Sequence, residues 1–412
     1  MTNTKTFTIE TITGGHLTTP KGFVAGAVCA GMYAGGPKAG QLDLGILFSE
    51  RECAAAGVLT KNLVRAAPVY VDEKRLPAGR LRGVITNSGN ANAPFGDAGI
   101  DDAEEMAALA ARKLGVPDDE FAVCSTGVTG VLLPMEKIRA AVPKIELSAN
   151  GGSDFARAIM TTDTVVKEAA VAVKDGDTVL YTLGGCCKGS GMIHPNMATM
   201  LAYITTDAAV DRDLLREAVR ETADATFNMV TVDGDTSCSD TLLVFANGAA
   251  GGTTIAAGTP EAQTFREALL AVATQLARAI ARDGEGASHL ITVDVSGASS
   301  VDDARNVAKT VALSSLVKTA VAGADPNWGR ILVAAGRAGS PLDPVKTTVR
   351  LQGELLFDRG KVIGFDERAV SDKLLAEEVR IEIDLGLGSG AATAWGCDLT
   401  TEYVHINADY RT

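Results

Sequence analysis

The residues with most chemical potential lie in one stretch, Gly184-Gly185-Cys186-Cys187-Lys188-Gly189-Ser190-Gly191-Met192-Ile193-His194-Pro195-Asn196-Met197-Ala198-Thr199-Met200-Leu201. It sets four glycines, a lysine, a histidine and a proline directly before an apolar strand. A phosphate-cradling loop is excluded, because no GxxxxGK[ST] register fits. Ser190 sits in Lys-Gly-Ser-Gly, which lacks the outer glycine of a nucleophile elbow. By spacing alone the stretch reads as a long glycine-rich turn. Elsewhere, Gly386-Leu387-Gly388-Ser389-Gly390 is one residue short of a dinucleotide fingerprint. His16, His194, His289 and His405 are scattered, with no local signature of a Ser-His-Asp triad. Asp283-Gly284-Glu285-Gly286 reads as a helix-terminating turn. Asp325-Pro326-Asn327-Trp328-Gly329-Arg330 reads as a loop with its tryptophan anchored in the core.

Residues 8–90 read as strands and turns, with apolar runs at 22–28, 42–48 and 83–86. A polar loop, Asn87-Ser88-Gly89-Asn90-Ala91-Asn92-Ala93, follows. Apolar positions at helical spacing predict a helix over 98–114, and Phe121–Cys124 predicts a strand running into Ser125-Thr126-Gly127. A helix is expected from Pro134, a helix end at 154–161, and a hairpin over 165–183 turning at Asp175-Gly176-Asp177. Strands are expected at 200–206, 241–246, 290–296, 346–352, 378–385 and 401–407, and helices at 211–226, 260–283 and 302–323. Paired strands separated by long helices predict the α/β class, with packed mixed or antiparallel sheets flanked by helices.

A chain of 412 residues, 46% of them hydrophobic, can bury one large core or two smaller ones. The net charge of −13, without basic runs, argues against nucleic acid and anionic membranes as partners. No apolar run reaches the roughly 18 residues of a membrane span. Seven cysteines form no CxxC pair and no zinc-spaced Cys/His cluster, which predicts free, mostly buried thiols, a reducing cytoplasm and no metal.

Lys188 through Leu201 strongly resembles the self-processing segment of the ornithine acetyltransferase family (the ArgJ family), the glutamate N-acetyltransferases of arginine biosynthesis. Asn87–Ala93, Ser125–Val128, Thr161-Thr162-Asp163-Thr164 and Thr231–Ser237 resemble it too. So do Asp283–Ala287, Asp325–Arg330, Ala394–Thr400, Tyr403, Asn407-Ala408 and Tyr410-Arg411-Thr412. The matches keep their order over nearly the whole chain.

The resemblance implies the ornithine acetyltransferase-type fold and self-cleavage between Ala198 and Thr199. Residues 1–198 would form an α chain and 199–412 a β chain, assembled as α2β2. Thr199 would be an N-terminal nucleophile, carrying acetyl from N-acetylornithine to glutamate without a cofactor. Family members differ in whether they also take acetyl from acetyl-CoA, and no motif here divides them. The oxyanion donors would be the Thr126 hydroxyl and the Gly127 N–H. Substrate contacts would fall on Thr161, Lys188, Thr199, Glu285, Asn407 and Thr412, with Thr162 a close alternative to Thr161. Lys188 would meet a carboxylate, and Glu285 the ornithine ammonium.

The chemistry is self-consistent. A threonine hydroxyl needs an adjacent base, and a new α-amino group, with a pKa of about 7.7–8.0, supplies one. Two other readings share these residues: a self-processing N-terminal-nucleophile hydrolase such as an aminopeptidase, and an uncut, non-catalytic binding protein.

Overall fold

The structure, a computed structural model, describes residues 7–33, 38–194 and 200–409. The expected cleavage site Ala198–Thr199 and the terminal Thr412 lie outside the described residues.

Three sheets form the frame. The middle one is a six-stranded sheet, in spatial order Phe7–Thr11, Lys167–Asp175, Thr178–Lys188, Leu201–Thr206, Thr241–Ala246 and Ala54–Leu59. Its pairs are antiparallel except Leu201–Thr206 with Thr241–Ala246. Leu201–Thr206 is buried at every position, as a central strand covered on both faces must be. Alternation then sorts its side chains. Leu201 and Tyr203 pack toward a four-stranded sheet, and Ala202 and Ile204 toward a helix layer.

The four-stranded sheet runs Phe23–Val28, Leu44–Ser49, Gly83–Asn87, Phe121–Ser125, with only the last pair parallel. Its outer face is covered by the helices Ala67–Arg75, Gly96–Leu114 and Met135–Ala141. On the far side of the six-stranded sheet lies the helix Pro260–Arg282, opened by a Thr259 cap and a first-turn proline. Phe265, Leu269, Val272, Leu276 and Ile280 recur at three- and four-residue spacing and are buried. This helix separates the six-stranded sheet from a seven-stranded one, ordered Val230–Thr231, Gly390–Cys397, Leu290–Ala298, Glu378–Asp384, Thr348–Leu351, Glu354–Asp358, Lys361–Val362. Among the described residues no helix is long and apolar enough to cross a membrane.

The mixed-sheet α/β expectation holds, and several elements differ from it. Residues 401–407 are not a strand but part of the helix Thr401–Asp409. Tyr403, His405 and Asn407 alternate like strand residues, yet the helix has no buried face, and Thr400 Oγ1 accepts the Glu402 N–H at its start. Ala67–Arg75 is a helix inside a region expected to hold only strands, opened by Pro68. The helix expected over 302–323 is two, Val301–Leu313 and Ser315–Ala322, because Ser314 is extended (φ −62°, ψ 112°). Trp328 opens a further helix, Trp328–Gly336, capped by Asn327, and stacks on Phe357 at 5.4 Å between ring centroids. All seven cysteines are free and six are buried. Cys186 and Cys187 point to opposite sides of their strand, into different apolar clusters.

Tyr203 ties the two inner sheets together. Its ring meets Phe155 edge-on at 5.1 Å, and its hydroxyl lies 2.9 Å from Thr86 Oγ1 across the sheet interface. Tyr203→Ala should lower unfolding free energy by about 3–5 kcal/mol in urea titrations, and Tyr203→Phe by about 1 kcal/mol.

Candidate active site

Lys188 and Leu201 are register partners in the six-stranded sheet. The two ends of the segment between them therefore meet at one end of the sheet. Its first part is firmly held. Ser190 Oγ donates to Asp283 O at 2.6 Å, and the Glu285 N–H donates to Ser190 O at 3.1 Å. The Asp233 carboxylate accepts the N–H groups of Met192 and Ile193 at 2.6 and 2.9 Å. Thr236 Oγ1 donates to His194 O at 2.7 Å, and His194 Nδ1 lies 2.9 Å from Thr231 Oγ1. Burial, helped by the charge of Lys309, lowers the His194 pKa to about 4, so its imidazole is neutral at pH 7. At Gly191 a Cβ would stand 2.2–2.4 Å from the Glu285 carboxylate, so a larger residue there would have to displace that side chain.

Beneath this loop is a buried ion cluster. Lys167 Nζ lies 2.6 Å from Asp163 Oδ1 and 2.5 Å from Asp283 Oδ2. Asp163 also accepts the N–H groups of Thr161 (3.0 Å) and Gly189 (2.7 Å). Asp283 accepts the N–H of Thr164 at 3.0 Å and its hydroxyl. Burial alone would raise the Asp163 carboxyl, but Lys167 and Lys188 overcome it and hold the pKa at about 2. For Lys167, burial pushes down while Asp163 and Asp283 push up, and the net direction is up. The cluster fixes Thr161, Gly189 and Asp283 relative to one another, and with them Lys188 and Glu285.

The third part is the turn after Phe121–Ser125. Here the asparagine-rich loop acts as a brace. Asn87 Oδ1 accepts Ser125 Oγ at 2.6 Å, Asn87 O accepts the Thr126 N–H at 3.0 Å, and Asn90 Nδ2 donates to Val131 O and Leu132 O. Gly127 has φ +132°, and a Cβ there would stand 2.4 Å from Gly89 C and 2.5 Å from Asn90 N. Among the described residues, nothing pairs with the Thr126 hydroxyl or accepts the Gly127 N–H.

These parts converge. Thr126, Gly127, Thr161, Lys188, Glu285 and Asn407 all line one cleft, together with Met200, the residue after Thr199. Thr162 lines it too, so the choice between Thr161 and Thr162 stays open. Asn407, on the helix read as a strand, reaches the cleft and donates to Glu285 Oε2 at 2.7 Å. Lys188 is 9% exposed, and among the described residues no acceptor stands within hydrogen-bonding distance of its Nζ. Burial is the main influence on it and lowers its pKa, against the pull of Asp163 and Asp240. Such an ammonium is poised for an anion from solution. Of the other histidines, His16 pairs with Thr18 and His289 with Asp398, and neither lines the cleft.

Sequence reasoning missed Lys167, Asp163 and Asp233 as organising residues. Asp163 and Lys167 are four apart, but only the fold brings Asp283 to them. Tyr403 also lines the cleft, its phenol pushed up by burial and by the carboxylates of Asp233 and Glu285.

Two outcomes follow from the cluster. Lys167→Met leaves two buried carboxylates unneutralised and should cost about 3–5 kcal/mol of stability in urea unfolding. A depressed carboxylate pKa stabilises fully above its unfolded value, about 3.9, and loses that contribution as pH falls toward about 2. A raised lysine contributes fully below its unfolded value, about 10.4, and loses the contribution as pH rises past it. The difference in urea midpoint between wild type and Asp163→Asn should therefore hold at neutral pH and shrink below about pH 4.

Comparison with known proteins adds the family. A sequence model of the ArgJ family matches residues 28–412. The arginine biosynthesis bifunctional protein ArgJ of Dehalococcoides mccartyi is 50% identical, over 98% of this chain and 99% of its own. The protein of the same name from Symbiobacterium thermophilum is 50% identical, over 98% and 100%, and that of Staphylococcus aureus strain COL 46%, over 100% and 99%. Among solved structures, the arginine biosynthesis bifunctional protein argJ of Bacillus halodurans is 42% identical, covering 50% of this chain and 97% of that one, with a TM-score of 0.49. The ornithine acetyltransferase of Mycobacterium tuberculosis, solved with ornithine, is 42% identical, covering 46% and 100%, with a TM-score of 0.43. On the strength of the near full-length sequence matches, this chain belongs to the ArgJ family.

Proposed function

We propose that this chain is an acetyltransferase of arginine biosynthesis that cuts itself between Ala198 and Thr199 and then moves acetyl from N-acetylornithine to glutamate through Thr199. The observation that carries the reading is the convergence on one cleft of Thr126, Gly127, Thr161, Lys188, Glu285, Asn407 and Met200. Its relatives bear the name arginine biosynthesis bifunctional protein, which supports the same pathway here. Acetyl-CoA acylating Thr199 in place of N-acetylornithine would supply the second activity.

In the cut, Thr199 Oγ attacks the Ala198 carbonyl and the amide becomes an ester. Water then hydrolyses the ester, leaving an Ala198 carboxylate and a free Thr199 α-amino group. In turnover that amine takes the hydroxyl proton as Oγ attacks the acetyl carbonyl. The Thr126 hydroxyl and Gly127 N–H receive the oxyanion. The carbon–nitrogen bond breaks, ornithine leaves with the proton, and acetyl-Thr199 remains. The α-amine of glutamate attacks this ester and departs as N-acetylglutamate. Lys188 holds the α-carboxylate that both substrates share, and Glu285 holds the ornithine ammonium. Thr161, Asn407 and Thr412 complete the substrate contacts, and the products of the cut assemble as α2β2.

Mass spectrometry of the purified protein should find chains 1–198 and 199–412 in wild type and one 42.5 kDa chain, inactive in transfer, in Thr199→Ala. N-acetylornithine alone should add one acetyl group to the peptide beginning Thr199-Met200-Leu201, and double-reciprocal plots against the two substrates should be parallel. Thr126→Ala should lower kcat by roughly 10²–10³ with a smaller change in KM. Loss of acetyl to water rather than glutamate would identify a hydrolase instead, and an uncut wild-type chain a binding protein.

A further inference from the structure

One site must serve two side chains of opposite charge. N-acetylornithine brings an ammonium, and glutamate brings a second carboxylate. Glu285 suits the first and repels the second. A γ-carboxylate in the same cleft needs a cation other than Lys188, which is taken by the shared α-carboxylate. Lys167 is committed to Asp163 and Asp283, and Lys318 donates to the Val232 carbonyl.

Lys38 is different. It is half-buried, and its ammonium lies over the Tyr33 ring, 5.7 Å from the centroid. Among the described residues no carboxylate or other acceptor lies within bonding distance of its Nζ. Tyr33 is wedged between two walls of the site. Its hydroxyl donates to Met160 O at 3.2 Å, next to Thr161, and its ring approaches Gly89, where a Cβ would stand 3.4 Å away. Gly89 belongs to the brace beneath Thr126 and Gly127. Lys38 is thus carried to the rim between the oxyanion turn and the Thr161 loop. Asp163 and Lys188 both act on its charge.

We propose that Lys38 is a specificity-determining residue for the acceptor, pairing with the γ-carboxylate of glutamate in the second half-reaction. The proposal rests on the covalent, two-step reading above. It separates the two steps: Glu285 serves the donor side chain and Lys38 the acceptor side chain, over a shared α-carboxylate on Lys188.

The test uses the mature enzyme, acetylated with N-acetylornithine and freed of excess donor. Loss of acetyl-Thr199 is followed by mass spectrometry after adding either glutamate or isotopically labelled ornithine. In Lys38→Gln, the rate with glutamate should fall about tenfold or more, while the rates with ornithine and of initial acetylation stay within about twofold. Lys38→Arg should restore most of the glutamate rate. The acetylation step reports on folding in the same sample, and Lys38→Met offers a second neutral variant. Equal losses with glutamate and ornithine, or an unchanged glutamate rate, overturn the proposal. Wild-type enzyme that takes no acetyl from N-acetylornithine overturns the covalent reading, and the Lys38 assignment with it, before any variant is compared.

Discussion

Everything at the cleft depends on one ammonium held between two carboxylates. Lys167, on a sheet strand, joins Asp163 from the preceding loop and Asp283 from the end of the long helix. Each carboxylate also gathers backbone N–H groups, so the charges are satisfied by hydrogen bonds as well as by each other. That is the condition under which a buried ion pair can be tolerated. Two carboxylates and one ammonium leave one negative charge in the interior. Asp163 acts on Lys188 as well, which is why a second lysine can be buried there with no direct partner among the described residues. The cluster thus steadies the cleft and also holds a positive charge at its wall.

Close backbone approach does the rest. Gly127 lies against the chain of Gly89 and Asn90, and Gly191 against the Glu285 carboxylate. At Gly127 a single methyl group would push apart two backbone walls of the cleft, and at Gly191 it would displace the Glu285 carboxylate. The asparagine side chains of residues 87–92 take over where sheet hydrogen bonding stops, joining the ends of two parallel strands to the turn beyond them. The Thr126 hydroxyl and the Gly127 N–H are therefore set by rigid neighbours, as the oxyanion role proposed for them requires.

Much of this was legible in the sequence. Continuous apolar runs marked the central strands, as at Thr241–Ala246, and helical spacing marked Pro260–Arg282. Family resemblance, not spacing, singled out Thr126, Lys188, Glu285 and Asn407. Spacing alone read 184–201 as a turn, but Gly184–Lys188 completes the strand Thr178–Lys188, and only the residues after it leave the sheet. The helix Thr401–Asp409 was misread because it has no buried face, so no three-to-four-residue apolar period could appear. The pairing of Lys167 with Asp283 was not legible, since the partners are separated by 116 positions and meet only through sheet and helix packing.

The pairing of Thr178–Lys188 with Leu201–Thr206 has a consequence for the integrity of the molecule. These strands, on either side of the loop, are hydrogen-bonded neighbours from Leu183 to Lys188 and from Leu201 to Thr206. The same sheet also takes Phe7–Thr11, Ala54–Leu59 and Lys167–Asp175 from before the loop and Thr241–Ala246 from after it. A break anywhere in the loop would leave two polypeptides sharing one sheet, with Leu201–Thr206 and Thr241–Ala246 of one enclosed between strands of the other. They could part only by dismantling the central sheet, so dissociation and unfolding would become the same event. Refolding of the nicked molecule from denaturant would then be second order, slowing on dilution, whereas the intact chain refolds at a rate independent of concentration.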